Sequence, residues 1–221
     1  MMDRLYRIAR NYTLNWKEKI ITHRAREKTL LDYGCGTGNF LAHMKASGWN
    51  VAGIEPSSEA RAKASENALV HERLESDNGN YSIITLWHVL EHIHDLHKTL
   101  VELRRRLEAT GTIFIAVPNY KSADAMHYKN HWAAYDVPRH LWHFNQQTMT
   151  QTLANAGFKV ETIMPMKLDV YYVSLLSESY KKPVTNAFTK YFRAFYQGWK
   201  SNRAARITGE YSSLIYIAQK Q

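Results

Sequence analysis

A glycine-rich turn that begins with an acidic residue is the part of the sequence best suited to bind a ligand. The turn runs from Asp32 to Gly38, and Glu55 follows the next apolar segment. Glycines let a backbone turn sharply and approach a ligand closely, and a helix after such a turn directs free N–H groups at that ligand. Asp32 can face a cationic group, and the Glu55 carboxylate can accept both hydroxyls of a ribose.

The spacing of the glycines argues against a dinucleotide. The dinucleotide fingerprint G-x-G-x-x-G needs its third glycine one residue later than Gly38, where this chain has Asn39. A turn with an acid before its first glycine suits a ligand that carries an ammonium group and no diphosphate. The alternative, a glycine turn without a ligand, is disfavoured because Asp32 and Glu55 end successive strands.

Alternating strand and helix patterns would position these residues, and they predict an α/β fold with a mostly parallel sheet covered on both faces. The predicted strands are 29–33, 50–54, 69–74, 81–87, 111–117, 158–164 and 211–218. The predicted helices are 4–25, 39–46, 57–67, 96–107 and 148–156, followed by two helices within 169–206 that are separated near Pro183.

Three separated motifs resemble class I S-adenosylmethionine-dependent methyltransferases, in the order found there. Residues 32–38 with Glu55-Pro56 resemble their motif I, and residues 87–93 resemble the segment after their fourth strand. Residues 134–144 resemble a substrate-side segment of bacterial relatives in the group of the ubiquinone-biosynthesis O-methyltransferases. The resemblance covers about residues 29–164. It implies a Rossmann-like three-layer sandwich whose mostly parallel seven-stranded sheet has an antiparallel last strand.

The resemblance also implies a domain organisation and a cofactor. It divides the chain into an N-terminal helical segment, residues 1–28, and a methyltransferase domain, residues 29–221, with helical lid insertions at about 119–146 and 168–208. The implied cofactor is S-adenosyl-L-methionine, and Glu75 and Asp77 are candidates beside its adenine. The implied cofactor-binding residues are Asp32, Gly34, Cys35, Gly36, Gly38, Glu55, Pro56, Trp87 and His88.

The fourth strand and the segment after it depart from the family in two ways. The strand opens with Tyr81-Ser82, where relatives usually have Phe-Asp. Residues 88–92 match the H-x-x-E-H pattern of one zinc peptidase class, but they follow a strand in a methyltransferase-like layout. Some relatives are thought to hold a divalent metal on Glu-x-x-Glu-His, and His88 at the first position disfavours magnesium. Hydrogen bonding by Glu91 and His92 is the preferred interpretation, so no metal ligand is assigned.

A second group of histidines and aromatic residues lies in the first insertion. Transfer of a methyl group to a hydroxyl needs a base with a pKa near neutrality, which is the natural role of histidine. We expect His88 first, and His140 second, to be that base. Arg139 could hold an anionic acceptor or pair with Asp136. The candidate substrate residues are His131, Trp132, Tyr135, Arg139 and His143, and packing of a lid is the alternative role for each.

The composition indicates where the protein is located and which partners it could contact. A single cysteine excludes an intramolecular disulfide, and no apolar signal-peptide core follows the basic start, so we expect a cytoplasmic protein. The chain has a net charge of +9, and its residues 181–206 contain no Asp or Glu. Within them, aromatic residues from Phe188 to Trp199 recur at helical spacing. We expect this stripe to cover the core or a dimer partner, with contact to a membrane surface as the alternative.

The sequence therefore predicts a methyltransferase that acts on a small molecule, at a hydroxyl oxygen, as a monomer or homodimer. Two other functions remain open. An RNA or protein methyltransferase would suit the net charge of +9, although the segment after the fourth strand lacks an Asn-Pro-Pro-Tyr-like motif, and a nucleic-acid partner is disfavoured. A non-catalytic S-adenosylmethionine-binding protein would suit the lack of a convincing catalytic base.

Overall fold

The computed structural model describes residues 2–181 and 186–221, with side chains described from Arg10 onward. The strands are β1 Thr29–Tyr33, β2 Asn50–Ile54, β3 Leu69–His71, β4 Tyr81–Trp87, β5 Leu107–Pro118, β6 Phe158–Pro165 and β7 Ser213–Lys220. The helices are α1 Met2–Thr22, α2 Asn39–Ala46, α3 Ser58–Ala64, α4 Leu96–Arg106, α5 Ala123–Tyr128, α6 Gln146–Asn155, α7 Asp169–Lys181 and α8 Ala187–Thr208.

The seven strands form one sheet in the order β3-β2-β1-β4-β5-β7-β6. β7 runs antiparallel to both of its neighbours, and the other pairs are parallel. The predicted fold class is therefore confirmed. The strand order reverses direction between β1 and β4, and in open α/β sheets a ligand crevice forms outside the carboxyl ends of the strands at such a point.

Alternation along the strands divides the core into two layers, because successive side chains of a strand point to opposite faces. Leu31 and Ile84 belong to one apolar cluster, together with Leu100 of α4. Leu30 and Ile83 belong to the other, which contains side chains of α1 and α2. This alternation explains why helices pack on both faces of strands whose sequences are continuously apolar.

Most predicted elements are present, with shifts at their ends. Ser57 caps α3 by accepting a hydrogen bond from the Ala60 backbone, and α3 ends at Ala64, earlier than expected. β5 begins at Leu107 because this residue already pairs with Tyr81, ahead of a bulge. The predicted helix break near Pro183 lies outside the described residues.

The insertions between β5 and α6 and between β6 and β7 are joined by a buried carboxylate, Asp124 of α5. Its Oδ1 accepts from the Ser201 hydroxyl of α8 at 2.7 Å. Its Oδ2 accepts from the Trp132 indole N–H at 2.8 Å and from the Ser212 hydroxyl at 2.7 Å. A buried carboxylate needs such partners, so these four residues fix the two insertions against each other and against the start of β7.

Candidate active site

The glycine turn follows β1 directly and adopts conformations that favour glycine. Gly34, Gly36 and Gly38 have φ values of +77°, +54° and +77°, in the left-handed region where side chains are strained. A Cβ on Gly34 would lie 2.5 Å from Val89 Cγ2, so packing also requires this glycine. A Cβ on Gly36 would meet no atom within 4 Å. The Gly36 backbone therefore borders open space that a ligand can approach.

Glu55 lies just beyond the end of β2 and holds the glycine turn. Its Oε2 accepts a hydrogen bond from the Gly36 backbone N–H at 2.8 Å, and its Oε1 accepts from Ser57 N–H at 2.9 Å. The parallel pairing of β1 with β2 brings these residues together. The carboxylate therefore orders the glycine turn against the end of β2.

Asp32 is a buried carboxyl group beneath the turn. Thr85 of β4 donates a hydrogen bond from its hydroxyl to Asp32 Oδ1 at 2.6 Å, since the two residues are register partners in adjacent strands. Burial raises the pKa of Asp32 to about 7, although this hydrogen bond and the charge of Lys17 act in the opposite direction. A cationic ligand beside Asp32 would favour its ionised form.

A cation from α1 reaches this crevice. Lys17 Nζ lies 4.0 Å from the centroid of the Trp87 ring and 5.7 Å from that of Phe40. Burial lowers the pKa of Lys17 to about 8, while Asp32 and Asp169 act to raise it. An aromatic face attracts positive charge, so the face of Trp87 is suited to a cationic group. The spacing of residues in α1 does not indicate that Lys17 faces the turn, so no local pattern in the sequence predicts its place at this site.

His88 follows Trp87 and joins β4 to the second insertion. Its Nε2 is 2.7 Å from Asp169 Oδ2, and its Nδ1 is 3.4 Å from Glu91 Oε1. Burial opposes the charged ring, but the hydrogen bonds and charges of Asp169 and Glu91 outweigh it and raise the pKa of His88 to about 10. The ring is therefore an imidazolium at neutral pH. It has no lone pair to accept a proton, so this geometry does not favour His88 as the base.

His140 is in the opposite state, because burial lowers its pKa and leaves the ring neutral. Its Nδ1 donates to the Ala134 carbonyl at 2.8 Å, and His92 Nδ1 donates to the Arg139 carbonyl at 3.0 Å. His140 Nε2 then carries the lone pair of the neutral ring. Glu91 is fully buried, and its Oε1 faces the His88 ring, with Nδ1 at 3.4 Å.

The Glu91, His92 and His140 side chains form a group that could hold a metal ion, since one ligand atom from each lies within 4.8 Å of the others. Histidine ligands commonly donate their second N–H to a carbonyl, and a buried carboxylate favours a cation beside it. The donor set therefore fits a divalent ion with affinity for nitrogen. The sequence could not show this group, because His140 is distant along the chain and only the fold brings it to Glu91.

A cavity of about 380 Å³ opens beside His88 and His140. Arg139 lies at this cavity and pairs with Asp136 at 2.6 Å, which is the second of the two roles considered for it. The remaining lining comes from both insertions and from the ends of strands, namely Glu91, Pro118, Ala133, Ala134, Asp169, Tyr172, Val173, Leu176, Tyr180 and Ser213. The cavity therefore has a polar end at the histidines and an apolar wall along α7.

The other candidate substrate residues lie outside the lining of this cavity. Trp132 is buried and its N–H is bonded to Asp124, which gives this side chain a structural role. Tyr135 packs edge-on against both Trp132 and His143. His143 Nε2 bonds the Tyr135 carbonyl, and His131 is exposed. Aromatic and histidine composition identified the insertion, but packing determined which of its side chains face inward.

Three further predicted residues are placed by the structure. Cys35 is buried against Gly53, where a Cβ would lie 2.7 Å from its Sγ, and burial raises the pKa of its thiol to about 12. Asp77 is buried and pairs with Arg106, so it stabilises the end of α4 and does not face the crevice. Glu75 lines a separate cavity of about 370 Å³ together with Pro56 and Tyr33.

Comparison with known proteins agrees with this fold. A family model described as a methyltransferase domain matches residues 3–163. The fold resembles a S-adenosylmethionine-dependent methyltransferase from Archaeoglobus fulgidus, with a TM-score of 0.64 at 18% identity over 96% of this chain and 94% of the other. It also resembles magnesium protoporphyrin IX methyltransferase from Synechocystis with bound S-adenosylhomocysteine, with a TM-score of 0.60 at 13% identity, 96% of this chain and 81% of the other being covered.

The fold and the glycine turn together define a Rossmann-like protein of the S-adenosylmethionine-dependent class. The chain belongs to the methyltransferase-domain family, and S-adenosylmethionine is its cofactor, as the sequence predicted. It is 27% identical over 132 residues to the ubiquinone biosynthesis O-methyltransferase of Rickettsia bellii, and 30% identical over 104 residues to that of Sodalis glossinidius. These alignments cover 54% and 42% of this chain and 53% and 42% of the relatives, so the chain spans about half their length or less.

Proposed function

We propose that the protein transfers the methyl group of S-adenosylmethionine to a hydroxyl oxygen of a small molecule held in the cavity beside His88 and His140. The observation that carries this proposal is the position of that cavity, which is lined by His88 next to Trp87 and also by the neutral His140. The names of the relatives from Rickettsia bellii and Sodalis glossinidius support an oxygen acceptor.

In this proposal the glycine turn and the ends of the strands hold the cofactor. Gly34, Gly36 and Gly38 lie along its methionine portion, and Asp32 faces its ammonium group. Glu55 binds the ribose hydroxyls, while Pro56 and Glu75 border the adenine. The positively charged sulfonium lies beside the face of Trp87. This ring face already attracts a cation, because the Lys17 ammonium lies 4.0 Å from its centroid.

The acceptor enters from the apolar wall of α7 with its hydroxyl at the Glu91, His92 and His140 group. Its oxygen attacks the sulfonium methyl in line, the S–CH3 bond breaks, and the sulfur leaves as neutral S-adenosylhomocysteine. The hydroxyl proton passes to His140 Nε2, which general-base catalysis requires to be unprotonated. The protonated His88 and its partner Asp169 fix the boundary between the two ligands and exclude water. A divalent ion held by the same group would supply Lewis-acid polarisation of the hydroxyl.

Isotope transfer tests this proposal. The protein is incubated with methyl-labelled S-adenosylmethionine and a metabolite extract, and labelled products are identified by mass spectrometry. We expect the parent protein to produce a labelled methyl ether. The His140→Asn variant should bind the cofactor normally but turn over about 10²–10⁴-fold more slowly. Asparagine can retain the hydrogen bond to Ala134 and lacks the Nε2 atom. Tight cofactor binding without any labelled product would favour a non-catalytic protein.

The same assay separates the remaining alternatives. Label recovered in RNA or protein and absent from small molecules would overturn the acceptor assignment. Activity that survives exhaustive chelation assigns proton removal to His140 alone. Activity that is lost on chelation and regained with a divalent cation assigns it to an ion at Glu91, His92 and His140.

A further inference from the structure

We propose that α8 docks this protein on an anionic lipid surface through an exposed face of aromatic side chains. This inference goes beyond the proposed function and does not depend on it. The docking face consists of Phe188, Tyr191, Phe192, Phe195, Tyr196 and Trp199, whose exposed fractions lie between 44% and 78%.

The exposure of this face contradicts one of the two alternatives that amphipathic spacing predicted, burial against the core. The expectation that the stripe covers the core is wrong, because the buried side of α8 is built from small and polar residues, namely Ala194, Gln197, Gly198, Ser201 and Ala205. A Cβ on Gly198 would lie 2.7 Å from the Tyr171 ring, so α7 and α8 approach closely on that side. The large side chains must therefore point away from the core. Exposed aromatic patches of this kind mark interaction sites.

The charge around the docking face indicates the chemistry of its partner. Residues 186–208 contain no Asp or Glu, and their cations are Lys190, Arg193, Lys200, Arg203 and Arg206. The Arg203 guanidinium lies 5.5 Å from the centroid of the Trp199 ring, at the end of the face. A second copy of the chain docked face to face would bring two sets of cations together without a carboxylate from either helix. The face therefore complements an anionic partner better than it complements itself.

A lipid surface fits this combination better than a nucleic acid does. Helices that lie in a membrane interface bury an apolar face and keep cations at its margin, and Trp and Tyr are enriched at that depth. No helix within residues 2–181 and 186–221 is long and apolar enough to cross a bilayer. The proposed association is peripheral and uses the docking face alone.

Docking would also place α7 near the lipid. Tyr171 of α7 stacks on Phe195 of α8 with ring centroids 5.4 Å apart. Tyr172, Leu176 and Tyr180 of the same helix line the cavity beside His88. One helix thus separates the docking face from that cavity.

Vesicle flotation tests the proposal with the full chain. The protein is mixed with vesicles of phosphatidylcholine alone, or of phosphatidylcholine with about a third phosphatidylglycerol. We expect flotation with the anionic vesicles only, decreasing as salt is raised. The double variant Phe188→Ser and Phe192→Ser should bind anionic vesicles at least about tenfold more weakly. The double variant Arg193→Gln and Lys200→Gln should lose the preference for anionic lipid.

A matched control removes equally exposed apolar side chains elsewhere. The variant Leu69→Ser and Met126→Ser loses residues that are 64% and 66% exposed outside α8, and it should float like the parent. All variants should keep the cofactor affinity of the parent, which separates this test from that of the proposed function. The proposal is overturned if the phenylalanine variant floats normally, if sedimentation shows that it disrupts a dimer of the parent, or if RNA binding accounts for its effect.

Discussion

His88 Nε2 lies 2.7 Å from Asp169 Oδ2 and so links the end of β4 to the first residue of α7. The carboxylate holds the ring protonated, and the ring lowers the pKa of Asp169 against the effect of burial. This pair stands at the boundary between the glycine turn and the cavity, where the two ligands of a transferase would meet.

Replacement of Asp169 should change the titration of His88. In an Asp169→Asn variant we expect the pKa of the His88 ring to fall from about 10 towards its ordinary value of about 6.5, because its closest counter-charge is lost. NMR titration of the ring measures this directly. Asp136→Asn removes a carboxylate that pairs with Arg139 and serves as the control, in which His88 should titrate as in the parent. A His88 pKa near 7 in the parent would contradict the assignment.

The same pair predicts how stability depends on pH. A folded-state pKa above the unfolded value gives stabilisation that is complete below about pH 6.5 and is lost as pH rises towards about 10. The difference in unfolding free energy between the parent and Asp169→Asn should therefore be largest near pH 6 and shrink by pH 10. The pKa of Lys17 is instead lowered on folding, to about 8, so its own contribution to stability has the opposite sign and increases above about pH 8. Urea unfolding at several pH values gives the comparison, and a difference that grows with pH would contradict it.

Cofactor affinity should rise with pH through the ionisation of Asp32. Since the pKa of Asp32 is about 7, its ionised fraction increases about fivefold between pH 6 and 7, a range that lies below the usual pKa of an α-amino group such as that of the cofactor. Calorimetry with S-adenosylmethionine should show an increase in affinity of this order. Asp32→Asn should abolish it, and so should 5′-methylthioadenosine, which lacks the amino-acid portion. An equal rise with either control would show that another group is responsible.

Loss of the Glu55 charge should weaken cofactor binding. Glu55→Ala or Glu55→Gln should cost about 1–3 kcal/mol, the scale of a charge-assisted hydrogen bond. Alanine also removes the bonds to Gly36 and Ser57, whereas glutamine keeps one acceptor and isolates the effect of charge. Glu59→Gln, at a side chain that is 85% exposed, is the matched control. Unchanged calorimetric affinity in the Glu55 variants would mean that the ribose assignment is wrong.

Two glycines with similar conformations allow a test of where the cofactor lies. Gly36→Ala and Gly48→Ala should each destabilise the fold by about 1–2 kcal/mol, because their φ values are +54° and +81° and neither added Cβ meets an atom closer than 3.7 Å. Only Gly36→Ala should reduce affinity for S-adenosylmethionine, measured under conditions in which both variants remain folded. Equal affinities in the two variants would place the cofactor away from the glycine turn.

The sequence by itself determined the glycine turn, the strand ends that carry Asp32 and Glu55, and the alternation that builds the sheet. These features depend on residues close together in the chain, where spacing and backbone preference act directly. Tertiary structure alone decided which face of α8 is buried, because the close approach of Gly198 to Tyr171 outweighs the apolar stripe. It also decided that Lys17 reaches Trp87 and that His140 meets Glu91, since packing between distant segments sets those contacts and no local pattern encodes them.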